Sequence, residues 1–277
     1  MIIDAHHHFW DRSQPFDYGW LDTPELAAIN KTFLPADLEP QLKECGISQS
    51  IFVQTQHNLE EARWVLAMRA DWDFLAGVVG WVDLRAPECE AQLESFIGEP
   101  GFLGIRHVVQ DEPDEDFIVR PETLNGLKVL ERHGVPYDLL FYDRHLRHGA
   151  TVADAVPNLP LVIDHLSKPR IKDGDIDAWE RDMREAAKRP NLWVKLSGLI
   201  TEADWDSWSV DHLRPYFEVA LEAFGPGRMM YGSDWPVCEL AGSYAQVFAA
   251  AKELIGDLSV DEQEKIWSGS ARAFYRV

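Results

Sequence analysis

With 277 residues and 46% hydrophobic content the chain can bury one full core, so a single domain spanning 1–277 is expected. Its 47 acidic against 26 basic residues leave a net charge of -21, which argues against nucleic acid or an anionic membrane as partner and leaves a small molecule. Cys45, Cys89 and Cys238 are too scattered for a disulfide framework or a CxxC metal site, and no apolar run approaches about 18 residues, so free thiols, no membrane span and a cytoplasmic setting are expected.

The chain enters its first predicted strand at once, over 2–9. On a regular strand Ile2, Asp4, His6 and His8 share one face, while Ala5 and His7 share the other. His6 and His8 form an HxH pair whose parallel imidazoles can ligate one cation or hold one water or carbonyl oxygen; His7 is expected to pack outward. The long loop 10–35 carries Trp10, Pro15, Phe16, Tyr18, Trp20 and Pro24, and predicts either a wall for a ring-shaped ligand or a satellite cluster covering that end of the fold. A helix over 36–45 stops at Gly46, and a strand over 50–56 leads to a helix over 59–72. The third strand, 75–84, holds Trp81, and its helix is expected over 86–98. In the fourth strand, 102–109, Arg106 and His107 point to opposite faces, so only one of them enters the interior. The acidic loop 110–120 and a helix over 121–133, opened by Pro121 and ended by Gly134, complete this half.

Strands five to eight are predicted over 135–141, 160–165, 192–198 and 228–233, with helices over 143–155, 176–189, 212–224 and 244–255 and a terminal helix near 259–275. All eight strands are short apolar runs of the kind found in buried parallel sheet, and eight strand–helix pairs predict an α/β fold, a (β/α)8 TIM barrel. On the sixth strand Leu161, Ile163 and His165 alternate, which turns His165 to one face; Lys168 follows in a loop. On the seventh, Lys195 shares a face with Trp193 and Ser197, and a cation lining a barrel needs an anionic or carbonyl partner. The eighth runs into Gly232-Ser233-Asp234-Trp235-Pro236: Pro236 blocks continuation of the sheet, and Gly232 lets a substrate or another backbone approach closely. Asp234, set among apolar residues, must face histidines, a cation or water; it reads as a general base or metal ligand, and otherwise as half of a structural ion pair. Barrel chemistry is mounted at the C-terminal strand ends, so His6, His8, His165 and Asp234 are expected to meet there.

Longer strings accompany these residues: Val79-Gly80-Trp81-Val82-Asp83-Leu84, Gly104-Ile105-Arg106-His107, Asp164-His165-Leu166-Ser167-Lys168-Pro169, Lys195-Leu196-Ser197-Gly198-Leu199 and Gly232-Ser233-Asp234-Trp235-Pro236-Val237-Cys238. Together with the HxH pair they resemble the amidohydrolase superfamily. Within it they resemble the sugar-lactonase branch, most of all the L-fucono-lactone hydrolases, with L-rhamnono-lactonases and the 2-pyrone-4,6-dicarboxylate lactonase as relatives. The resemblance implies hydrolysis of a sugar-acid lactone. Asp234 would take a proton from the attacking water, and His6, His8 and His165, with or without a cation, would stabilise the oxyanion. Arg106 or His107, Lys195 and Lys168 become candidate contacts to the carbonyl or hydroxyls, and Trp81 and Trp235 candidate stacking surfaces for the sugar ring.

The departures from the superfamily bear on metal. Binuclear members carry a carboxylated lysine or acidic bridge on the fourth strand and a metal-binding His on the fifth. Here those strands read Phe102-Leu103-Gly104-Ile105-Arg106-His107 and Val135-Pro136-Tyr137-Asp138-Leu139-Leu140-Phe141, with neither. At most one divalent ion of the zinc type is expected, on His6, His8, His165 and Asp234, and the resemblance implies that turnover does not strictly require it. The same residues leave three other readings: a mononuclear-zinc amidohydrolase or decarboxylase, a lactone isomerase, and a sugar-binding protein without turnover. The complete set of three histidines and one aspartate argues against the last.

Overall fold

A computed structural model describes residues 1–277. Eight parallel strands follow one another in sequence order around one sheet: β1 Ile3–His7, β2 Gln49–Val53, β3 Leu75–Gly80, β4 Phe102–His107, β5 Tyr137–Leu139, β6 Leu161–Ile163, β7 Leu192–Leu196 and β8 Met229–Tyr231. Closure occurs just past β8, where Asp234 N donates to His6 O at 2.8 Å and His8 N to Trp235 O at 2.7 Å. This is the predicted (β/α)8 barrel, with each strand ending two to four residues sooner than predicted. The residues beyond those ends leave the hydrogen-bonded ladder and build the site.

Around the barrel pack the helices Pro35–Cys45, Leu59–Met68, Cys89–Glu94, Pro121–His133, Gly149–Ala155, Asp177–Ala187, Val210–Phe224 and Tyr244–Leu254. A ninth, the short helix Leu199–Glu202 after β7, carries no sequence signal that predicted it. Gly46 and Gly134 end their helices with φ of 71° and 66°, left-handed conformations that a residue with a Cβ adopts only at a cost. The outward faces of the strands and the inner faces of the helices share one large apolar cluster, and a smaller one fills the barrel, with Ile3, Ala5, Ile51, Val53, Val79, Val162 and Met230. The terminal helical run Val260–Tyr275, with a π turn over Lys265–Gly269, plugs the end of the barrel away from the cavity: Ala271, Phe274 and Tyr275 join the inner cluster, and Phe274 packs on Trp193 near the start of β7.

β1 departs from its predicted face pattern. Its register against β2 shifts between Asp4 and His7. Ile3 and Ala5 therefore belong to the interior cluster, while Asp4 turns away to accept from Ser233 N at 2.8 Å, His6 N at 3.1 Å and Tyr244 OH at 2.8 Å. Asp4 does not share a face with His6; an irregularity in the ladder re-aims a side chain, as bulges near active sites do. Of the long loop 10–35, Trp10, Tyr18, Leu21, Ile29 and Phe33 are buried in the large outer cluster and do not form a satellite of their own, whereas Asp17, Trp20 and Leu26 line the cavity. The three cysteines are unpaired, and no helix is long and apolar enough to cross a membrane.

Candidate active site

At the C-terminal ends of the strands the barrel opens into a cavity of about 670 Å³. On its floor Asp234 Oδ1 lies 3.3 Å from His8 Nε2, 3.7 Å from His165 Nε2 and 3.8 Å from His6 Nε2, and the Nε2 atoms of His6 and His8 are 3.3 Å apart. His8, His165 and Asp234 line the cavity, with His6 fully buried behind them.

His165 reaches this position by a route that strand alternation does not describe. β6 ends at Ile163, and His165, Leu166, Ser167 and Lys168 then run through φ of 53°, 47°, 61° and 48°. Left-handed backbone costs an L-residue roughly 1–2 kcal/mol, so four in succession are held only by their surroundings. Trp179 Nε1 donates to Leu166 O at 2.7 Å, Ser167 Oγ to Tyr142 O at 3.1 Å, and Lys168 N to His165 O at 2.8 Å. Asp234 is left-handed too, at φ 59°. Two glycines make room for the histidines: a Cβ on Gly232 would sit 2.7 Å from His6 Cβ, and one on Gly198 would sit 2.7 Å from His165 Nδ1. The close approach that Gly232 permits is thus by His6.

Hydrogen bonds orient the rings. His8 Nδ1–H donates to Val53 O at 2.7 Å, which leaves a lone pair on Nε2, and His165 Nδ1 pairs with Ser197 Oγ at 2.8 Å. Burial lowers the pKa of all three histidines, those of His6 and His165 well below 6.5. Burial works to raise that of Asp234, but His165 and His8 beside it outweigh this and hold the carboxyl below its usual 3.8. At neutral pH the floor is a carboxylate among neutral imidazoles.

Under the floor lies a sealed ion cluster. Lys195 Nζ is 2.6 Å from Asp138 Oδ2, 3.0 Å from Asp164 Oδ1 and 3.1 Å from His6 Nδ1. Arg106 Nη1 is 3.3 Å from Asp164 Oδ2 and 3.3 Å from His6 Nε2, while its Nη2 donates to Gln54 O. Tyr275 OH, from the plug, donates to Asp138 at 2.7 Å. Two cations face two carboxylates, which is how charges survive in a barrel core. Lys195 therefore finds the partner its position demands, but it is 0% exposed and does not line the cavity. Asp138 and Asp164 carry the same signal in sequence, an acid within an apolar strand, and serve as the counter-charges of Lys195 and Arg106.

Of the remaining sequence candidates, Arg106 turns inward and lines the cavity. His107 turns outward: it accepts from Trp81 Nε1 at 2.9 Å, pairs with Glu112 Oε1 at 2.7 Å, and stacks on His57 with ring centres 4.1 Å apart. Neither Trp81 nor His107 lines the cavity, and Trp235 is buried against Phe9 and Phe33 with its Nε1 donating to Glu239 at 2.9 Å. These three placements differ from the expected lining of the cavity: Trp235 is buried, Trp81 and His107 stand behind the His57 wall, and the polar atoms of all three already have partners. Lys168 does line the cavity, with Nζ 5.3 Å from the Tyr142 ring centre. The aromatic walls are Trp20, Tyr142 and Trp205, joined by His57 and Glu202, of which only Trp20 had been marked by the aromatic loop.

One rim segment depends on a buried acid. Asn58 caps the helix Leu59–Met68, and Glu61 in its first turn folds back to accept from Thr55 N at 2.8 Å and Gln56 N at 3.1 Å. Burial pushes the Glu61 pKa up from 4.5 to about 7. As pH rises, the unfolded chain releases this proton first, so the Glu61 contribution to stability is complete below about 4.5, declines between about 4.5 and 7, and then levels off. Glu61→Gln is expected to flatten the pH dependence of thermal unfolding in that window, and a variant curve parallel to wild type would refute the assignment.

The floor fits one divalent ion. Ligand atoms of His6, His165 and Asp234 lie within 4.8 Å of one another, and the lone pair of His8 Nε2 faces the Asp234 carboxylate at 3.3 Å, a repulsive contact that a cation relieves. Three imidazoles and a carboxylate match zinc by donor type and number.

A family profile described as Amidohydrolase matches residues 3–277. A protein of Burkholderia ambifaria named L-fucono-1,5-lactonase is 37% identical over 99% of this chain and 95% of its own. A protein of Scheffersomyces stipitis named L-rhamnono-gamma-lactonase is 28% identical over 63% of this chain and 59% of its own. The crystal structure of an amidohydrolase from Burkholderia multivorans with bound zinc superposes with a TM-score of 0.94 at 34% identity, covering 100% of this chain and 99% of that one.

Proposed function

Because the chain belongs to the amidohydrolase family, we propose that it hydrolyses a sugar-acid lactone, L-fucono-lactone or a closely related aldonolactone, to the aldonic acid. The observation that carries this reading is the Asp234 carboxylate held among neutral imidazoles on the floor of a ring-walled cavity of about 670 Å³, within the range of small-molecule sites. A lactone is an activated ester with a tethered alkoxide leaving group, so it asks less electrophilic help than an amide.

In this reading Asp234, with the His8 lone pair beside it, takes a proton from water as the water oxygen attacks the lactone carbonyl. Arg106 and His165, which line the cavity, face the oxygen that becomes the oxyanion, and His6 supports them from behind through its contact with His8. The proton held by Asp234 then passes to the departing ring oxygen. Trp20 and Trp205 pack against the apolar face of the ring, and Lys168 and Glu202 are its hydroxyl contacts. His6, His8, His165 and Asp234 would hold a zinc ion, which would supply Lewis-acid chemistry at the carbonyl.

Ring opening releases one proton, so a pH-indicator screen of aldonolactones tests the proposal directly. Acid release from L-fucono-lactone or a near relative is expected, and silence across L-fucono-, L-rhamnono- and D-arabinono-lactones would sink it. A lactone isomerase would consume substrate without acid. Substantial activity is expected to survive a chelator; complete loss with recovery on zinc would instead favour a mononuclear-zinc amidohydrolase or decarboxylase.

A further inference from the structure

We propose that Lys195 is a positioning residue that fixes the proton of His6 on Nε2, making His6 a hydrogen-bond donor to His8 beside Asp234 and a reluctant zinc ligand. An ammonium has three N–H donors and no acceptor. In a position 0% exposed, those of Lys195 find two hydrogen-bond acceptors, Asp138 Oδ2 at 2.6 Å and His6 Nδ1 at 3.1 Å, while Asp164 Oδ1 at 3.0 Å is an ion-pair partner that makes no hydrogen bond. His6 Nδ1 must then present its lone pair, and the ring proton lies on Nε2. The other acceptor for a proton on Nδ1, Asp164 Oδ1, is 3.3 Å away but is not aligned for a hydrogen bond.

Arg106 Nη1 competes from the far side, 3.3 Å from His6 Nε2. Arg106 lines the cavity, where substrate or water accepts its hydrogens, and Nη1 already faces Asp164 Oδ2 at 3.3 Å. Lys195 has no such outlet, so its demand on the ring prevails. The His6 proton then points at the His8 Nε2 lone pair at 3.3 Å, beside Asp234. Tyr275 and Asp138 hold the lysine from below, so the terminal helix is tied to the chemistry through a chain of hydrogen bonds. For zinc to take His6 Nε2, the proton would have to move to Nδ1 and face the ammonium.

The part His6 plays behind the oxyanion site rests on the lactonase reading; the proton position and its effect on zinc do not. The test therefore uses no substrate. In protein carrying ¹⁵N-labelled histidine, with the His6 signals identified by their loss in His6→Gln, Nδ1 is expected to be unprotonated and Nε2 to show a one-bond N–H coupling. A proton on Nδ1, or exchange between both nitrogens, would overturn the proposal. Removing Lys195 alone strands the Asp138 carboxylate, so the variant for zinc titration is Lys195→Met with Asp138→Asn, which keeps the cluster neutral. It is expected to bind zinc about 10–100-fold more tightly than wild type, the range by which groups behind the ligands tune metal affinity. Unchanged or weaker binding would count against Lys195, and if this variant does not fold the wild-type spectrum decides alone. Should the spectrum and titration agree while no lactone is opened, the function is wrong and the tautomer assignment stands.

Discussion

Asp234→Asn is expected to lower kcat on the best lactone by about 10²–10⁴, the usual worth of a positioned general base, with KM nearly unchanged. Asn keeps the size and hydrogen-bonding reach of the side chain but cannot take the proton of the attacking water. The change should leave folding intact, because Asn tolerates the left-handed backbone that Asp234 adopts at φ 59° at least as well as Asp. The Asp234 carboxyl is held below its usual 3.8, so the base is ionised at neutral pH. A folded Asp234→Asn enzyme running at near wild-type rate would move the role of base to a histidine, with His8, whose Nε2 carries a lone pair, first in line.

Asp138→Ala is expected to destabilise the protein by about 3–5 kcal/mol, measured by urea or thermal unfolding, because it leaves a buried cation without its closest partner. Lys195 Nζ is 2.6 Å from Asp138 Oδ2, and the one remaining carboxylate, Asp164, is already shared with Arg106. Burial pushes the Asp138 pKa up to about 6 even with Lys195 pulling it down, which shows how costly the site is for a lone charge. Tyr275 OH would lose its acceptor as well. The double variant Lys195→Met with Asp138→Asn should recover most of the loss, since both charges leave together. A loss below about 1 kcal/mol in Asp138→Ala would mean that water reaches the ammonium and that the cluster is not sealed.

What could be read from the amino-acid sequence was whatever obeys a local rule. Buried parallel strands are apolar throughout, so eight apolar runs separated by amphipathic stretches specify the barrel and its order. A polar residue inside such a run is expensive without a partner, so His6, His8, His165, Lys195 and Asp234 stood out, and Asp138 and Asp164 stood out equally but went unassigned. The C-terminal position of the strand ends then says that His6, His8, His165 and Asp234 share one end of the fold. Local rules fail where a distant contact chooses the conformation. The register shift in β1 depends on its neighbour β2, and it separates Asp4 from His6 despite their alternation. The left-handed run that aims His165 is strained by itself and exists because Trp179, Ser167 and Tyr142 hold it. Of Arg106 and His107, alternation says that one enters the barrel, but which one follows from the phase of β4 against its neighbours, and the outward place of His107 is secured by Trp81 and Glu112. Tyr275 could not be linked to His6 from sequence at all: its hydroxyl meets Asp138 across 137 residues of chain, and only packing of the terminal helix into the barrel brings them together.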